Sequence, residues 1–234
     1  MALVLNIETA TTNCSVSLSK DGETLVLKED NSLGYSHAET LHLFIDEVFK
    51  ISKINPSEID AVSVSKGPGS YTGLRIGVSS AKGLCFALNK PLISISTLES
   101  LAHQVKHKDG YIIPMLDARR MEVYSAVYNS NLELHREIRA EILTEESYSE
   151  LLERSKVYFI GNGVEKTKSL IQHPNAVFIN EKLPSANEMS LLAEAKYKKS
   201  DTEDVAYFSL KKESLIFFMY FNLMRIRYFN TSSI

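Results

Sequence analysis

Long apolar runs, cysteine and excess charge are all scarce in this 234-residue chain, and each shortage closes off a class of function. No uninterrupted apolar stretch reaches the about 20 residues a spanning helix needs, so no membrane span is expected. Only two cysteines occur, Cys14 and Cys85, both in apolar contexts. They read as buried small hydrophobes of a reducing compartment and not as a disulfide framework. With 26 lysines and arginines against 29 aspartates and glutamates, the net charge is −3. No global basic field draws nucleic acid, so RNA contact needs a local patch or a partner that supplies one. The start, Met1-Ala2-Leu3-Val4-Leu5, runs directly into strand pattern without a charged n-region or cleavage site. The expected location is the cytoplasm.

Metal and phosphate signatures are equally thin. His37 and His42 are five apart, about 140° around a helix, whereas a helical zinc pair uses the i, i+4 spacing. His103 and His107 have that spacing but sit in a lysine-rich connector with no carboxylate between them, which reads as a solvated pair. A ribonuclease-H-like nuclease needs several carboxylates converging on two metal ions. Glu8 on the first strand suits that role, and so does a glutamate on the first helix, but the fourth strand ends Val64-Ser65-Lys66 where an acid is wanted. The lysine-bearing P-loop pattern is missing too. The sequence therefore predicts no metal and no cofactor.

What is present is an ordinary globular composition, 44% hydrophobic and 24% charged, in a chain long enough for one large or two small cores. Four of its ten glycines fall in Lys66-Gly67-Pro68-Gly69-Ser70-Tyr71-Thr72-Gly73-Leu74-Arg75-Ile76-Gly77. A strand (59–65) precedes this stretch and a small-residue helix (70–88) follows, capped by Ser70 or Thr72. Such a geometry receives an anion or a closely packed partner. A phosphate turn would draw on Thr9, Thr11 and Thr12 between the first two strands, with Gly67, Gly69, Ser70 and Thr72. Gly73, Gly77, Ser80, Leu84 and Ala87 share roughly an 80° sector of the helix, where small side chains admit another backbone. That face packs either on its own sheet or on another chain.

Around this stretch the order is regular. Two strands, 4–9 and 14–19, and a third at 24–29 make a β-meander with an Asp21-Gly22 hairpin turn. Cys14 to Ser19 alternates apolar and hydroxyl residues, the mark of a half-buried strand. Ser36 and Glu39 have capping-box spacing at the head of a helix whose apolar side is Leu41, Phe44, Ile45, Val48 and Ile51. Three antiparallel strands followed by α-β-α-β-α is the order of the ribonuclease-H-like half of the actin, sugar-kinase and chaperone ATPase folds. The pattern restarts near 103–110 as a smaller, degenerate copy. The expected fold is α/β and two-lobed, each lobe a mixed sheet flanked by helices, with lobes at 1–102 and 103–208. Residues 209–234 form an apolar tail carrying Lys211, Lys212, Arg225 and Arg227 against Glu213, read as a docking segment, a membrane-surface segment or an irregular end.

Several separated motifs together resemble the bacterial TsaB (YeaZ) family: Asn6-Ile7-Glu8-Thr9-Ala10-Thr11, the 67–77 stretch, Pro114-Met115-Leu116-Asp117-Ala118-Arg119-Arg120-Met121-Glu122-Val123-Tyr124, and Gly161-Asn162-Gly163. The resemblance covers roughly residues 1–208 and departs at the tail. It implies a non-catalytic subunit of the complex that adds the threonylcarbamoyl group to the adenosine beside the anticodon of tRNAs. In the catalytic relative two metal-binding histidines stand where this chain has Thr97 and Leu101, which cannot replace two imidazoles. The implied partners are a TsaD-like catalytic subunit, a second copy of this chain, and a TsaE-like ATPase in the larger complex, with tRNA met only through the complex. The expected contact residues are Leu41, Phe44, Ile45, Val48, Gly73, Gly77, Ser80 and Leu84 on the first two long helices. The alternatives are a nucleotide-binding ATPase or phosphotransferase of the same fold, and a metallo-glycopeptidase.

Overall fold

A computed structural model describes residues 2–31, 37–106 and 109–210. Ser36 of the proposed capping box, His107 and the tail beyond Leu210 lie outside the described residues. The first sheet has the order β3-β2-β1-β4-β5, from β1 (Leu3–Glu8), β2 (Cys14–Lys20), β3 (Glu23–Asp30), β4 (Ala61–Ser65) and β5 (Leu92–Ile95). The first three strands run antiparallel, and β4 and β5 lie parallel to β1. Asp21 and Gly22 close the meander turn with φ of 56° and 84°, both left-handed, as a primed two-residue hairpin turn requires. Helices α1 (His37–Ser52) and α2 (Tyr71–Leu88) cover one face, where Leu5, Ile7, Val16 and Leu18 meet Leu41, Ile45, Val48, Val78 and Cys85.

The other face departs from the sequence reading. Because strand side chains alternate, Val4 and Asn6 of β1 and Ser15, Ser17 and Ser19 of β2 point away from α1. The alternation in β2 suggested that its hydroxyl side meets water; instead all three serines are buried. Helix α6 (Ala186–Lys198) lies on them, although the sequence placed it in the 103–208 lobe. Its Ala186, Met189 and Ala193 pack on Val4, Ile93 and Ile95. Ser17 Oγ donates to the Ala186 carbonyl at 2.8 Å, and Asn6 Nδ2 donates to Ser17 and Ser19 at 3.0 Å each. A hydroxyl face is satisfied by a helix terminus and an amide as well as by water, and periodicity alone cannot tell these apart.

The second sheet has the order β10-β9-β6-β7-β8, from β6 (Tyr111–Asp117), β7 (Glu122–Tyr128), β8 (Leu134–Ile142), β9 (Val157–Ile160) and β10 (Ala176–Ile179). Its first three strands form an antiparallel meander and its last two lie parallel to β6 and β9. Both sheets thus place their strands third, second, first, fourth, fifth, the same ribonuclease-H-like order twice, in the two-lobed arrangement of actin-like and sugar-kinase-like folds. Helix α3 (Thr97–Ala102) covers one face through Leu98 and Leu101. Helices α4 (Ser149–Arg154) and α5 (Val164–Leu170) cover the other through Leu152 and Val164. Among the described residues no helix is long and apolar enough to cross a membrane, and no group of three or more His, Cys, Asp or Glu could hold a metal ion.

Candidate functional site

The glycine-rich stretch is built against the turn after β1. Gly67 has φ of +94° and precedes a cis peptide to Pro68. The Ser70 N–H then donates to the Ala10 carbonyl at 2.7 Å. Ser70, and not Thr72, caps α2: its Oγ accepts from the Gly73 N–H at 3.3 Å. A Cβ on Gly69 would stand 2.5 Å from the Ala10 carbonyl oxygen, one on Gly73 2.1 Å from the Thr9 carbonyl oxygen, and one on Gly77 2.3 Å from Thr9 Oγ1. Thr9 Oγ1 in turn donates to the Gly73 carbonyl at 2.9 Å. The two turns touch backbone to backbone, and the glycines serve that contact within the lobe.

The expected partner face lies largely inside the lobe in the isolated chain. Gly73 and Gly77 are enclosed by Thr9, and Leu41, Ile45 and Val48 belong to the core under α1. Leu41, Val48 and Gly77 are sealed within the lobe, Ile45 is nearly buried at the edge of the groove beside α1, and Gly73 borders the interlobe cleft. Phe44, Ser80 and Leu84 are half-buried at the margin. The small-residue sector of α2 starts against the sheet and emerges into solvent near its C-terminal end, where a Cβ on Gly83 would meet nothing within 4 Å. Beside Gly83, Phe86 is 85% exposed; on α1, Leu43 is 62% and Ile51 56% exposed. A groove of about 530 Å³ runs between the helices, lined by His42, Asp46, Phe49, Lys50, Asn55 and Leu84 among others.

Between the lobes lies a cleft of about 760 Å³. Of the seven residues expected at a phosphate turn, Thr11, Thr12, Ser70 and Thr72 line it. Thr9 is buried beneath Gly73, Gly69 sits against Ala10, and Gly67 faces a different groove with Lys66 and Tyr124. The cleft also gathers His37, Tyr71, Asp117, Arg119 and Asn162, which the sequence did not single out as site residues. His37 Nε2 lies 2.7 Å from the Thr11 carbonyl oxygen and so must carry the proton. Burial lowers the imidazole pKa, against the raising influence of that carbonyl, and favours the neutral ring. Arg119 and Arg120 follow each other in left-handed backbone, φ 72° and 48°, and the Arg119 N–H donates to Asp117 Oδ1 at 2.6 Å. Lys166 pairs with the same carboxylate oxygen at 2.8 Å. The Asp-Ala-Arg-Arg and Gly-Asn-Gly segments were visible as motifs; their meeting side by side at the ends of β6 and β9, where the Asp117 N–H donates to Asn162 Oδ1 at 2.9 Å, was not.

The groups considered for metal chemistry stand apart. Glu8 is wholly buried, its Oε1 accepting from the Ala10 N–H at 2.7 Å. Burial raises its pKa from 4.5 to about 7, against the Ala10 and Thr9 N–H groups and the Ser65 hydroxyl, which favour the carboxylate. Thr97 and Leu101 are fully buried on α3, with the Thr97 N–H donating to the Gly67 carbonyl at 3.1 Å.

Comparison with known proteins places this geometry. The family model described as "TsaD: tRNA N6-adenosine threonylcarbamoyltransferase" matches residues 33–214. The Bacillus subtilis (strain 168) "tRNA threonylcarbamoyladenosine biosynthesis protein TsaB" is 34% identical over 125 residues, 53% of this chain and 54% of that protein. Its Escherichia coli (strain K12) namesake is 35% identical over 127 residues, again 53% and 54%. The matched region thus spans about half the length of these curated relatives. A solved structure, "YeaZ from Pseudomonas aeruginosa", superposes with a TM-score of 0.76 at 25% identity over 92% of this chain and 98% of that one.

Proposed function

We propose that this chain, which belongs to the TsaD (tRNA N6-adenosine threonylcarbamoyltransferase) family, is a non-catalytic, partner-binding subunit of the machinery that makes threonylcarbamoyladenosine in tRNA. The observation that carries the reading is the pair Thr97 and Leu101. By the resemblance these positions hold metal-binding histidines in the catalytic relative; here a hydroxyl and an isobutyl group fill them, both sealed in the core. Catalysis then resides in a TsaD-like partner, and the work is cytoplasmic. Relatives named for the biosynthesis of this nucleoside support the assignment.

The docking face is the outward side of α1 and α2, moved from the buried residues to Gly83, Leu84, Phe86 and Ala87 with His42 and Asp46. Phe86 is the anchor, since an aromatic side chain held in water gains most from entering a partner's pocket. The test is co-elution of the purified chain with a TsaD protein. Phe86→Asp should weaken the complex at least tenfold while leaving urea unfolding of the chain alone unchanged. Undiminished co-elution would remove this face from consideration. Threonylcarbamoyl transfer by the chain alone would overturn the non-catalytic reading.

A second reading rests on the interlobe cleft, where Thr11, Thr12, Ser70 and Thr72 face Arg119. An ATPase or phosphotransferase would bind nucleotide there. Isothermal titration with ATP and magnesium, giving micromolar binding with turnover, would establish it.

A further inference from the structure

A second groove, about 1000 Å³, shares no lining residue with the Thr11–Arg119 cleft. Tyr124 of β7 and the Lys66-Gly67 backbone line it, with β8 residues 137–140 and the segment 203–210. It presents apolar surface to solvent: Tyr207 is 87% and Ile138 37% exposed. The groove also carries Glu137, Glu203 and Asp204 against Lys66 and Arg139, and Arg139 is already paired to Glu141 at 2.9 Å. Leu210, the last described residue, itself lines the groove, and Lys82 Nζ holds the approach by donating to the Ala206 and Phe208 carbonyls at 3.1 and 3.0 Å.

We propose that this groove is a docking site for the chain's own residues 211–221, with the apolar run Leu215-Ile216-Phe217-Phe218 covering Ile138 and Tyr207 and the Lys211-Lys212 pair meeting the acidic rim. Three observations select this occupant over a separate protein. The chain is delivered to the groove at Leu210, so the residues beyond it are held there at an effective concentration in the millimolar range, and weak contacts suffice. Lys211 to Ser214 give a connector of up to about 13 Å, enough to fold back across a groove of this size. The order of chemistry also matches, basic residues next to the acidic rim and then apolar residues for the exposed aromatic and aliphatic surface.

The full chain is used for the test. Hydrogen–deuterium exchange of F217D/F218D should show at least tenfold faster uptake in residues 134–142 and 205–210 than the parent, with α2 unchanged. Equal uptake in both proteins overturns the proposal. An independent arm pairs Ile138→Cys with Phe217→Cys and adds a bismaleimide of about 10 Å. The native Cys14 and Cys85 are buried, with thiol pKa values pushed up by burial to about 11 and about 12, so they stay unreactive. A link within one chain is expected. A link only between two chains, or none although both new thiols take up a monomaleimide, overturns the cis arrangement.

Discussion

Glu8 shows how a single buried residue can set the acid–base behaviour of the fold. Its carboxyl titrates near 7 in the native protein and near 4.5 when unfolded. Between these values the native state keeps a proton that the unfolded chain has released. The favourable contribution is therefore complete below about pH 4.5 and is lost as pH rises through about 7, a change of about 3 kcal/mol at about 1.4 kcal/mol per unit. Glu8→Gln keeps the acceptor for the Ala10 N–H and removes the charge. Urea unfolding at pH 5 and pH 8 should show the variant gaining about 2–3 kcal/mol on the parent over that interval; a constant difference would show that Glu8 titrates normally. Nothing in the local sequence around Asn6-Ile7-Glu8-Thr9 signals this shift, because the burial that causes it comes from the tertiary packing around β1, which lies between β2 and β4.

At the scale of the element, α2 is one helix with two environments. Its N-terminal glycines are pressed against Thr9 and its C-terminal one is open, so the same substitution should change sign along it. Gly83→Ala should stabilise by about 0.8–1 kcal/mol through helix propensity alone. Gly77→Ala should destabilise by about 1–3 kcal/mol, because Thr9 must rotate and give up its bond to the Gly73 carbonyl. Gly73→Ala should be worse still, since the obstacle is the Thr9 backbone. Chemical denaturation of the three variants checks the order, and stabilisation by Gly77→Ala would refute the packing account. The spacing of Gly73, Gly77, Ser80 and Leu84 identified a small-residue face correctly. It could not say that the sheet takes the first half, because helical phase is measured from sequence while the drift of the helix axis off the sheet is not.

Across the whole molecule, α6 joins the end of the chain to its beginning. Met189→Ala on this helix should cost about 2–4 kcal/mol. Hydrogen exchange should then accelerate in β1 and β5, which α6 covers, and much less in β6 and β9. Uniform acceleration of both sheets would show that the lobes open as one unit.

Read alone, the sequence determined the periodic elements and the two-lobed α/β class and narrowed the α2 cap to Ser70 or Thr72, all of which follow from residue type and local spacing. Tertiary structure decided which surfaces remain free. It sent Gly73 and Gly77 inward onto Thr9, laid α6 over the serines of β2, and brought Asp117, Arg119 and Asn162 to the cleft beside Thr11 and Thr12. Those outcomes depend on contacts between residues 60 to more than 150 positions apart, and burial at that range is fixed by how layers stack and not by the pattern within any one of them.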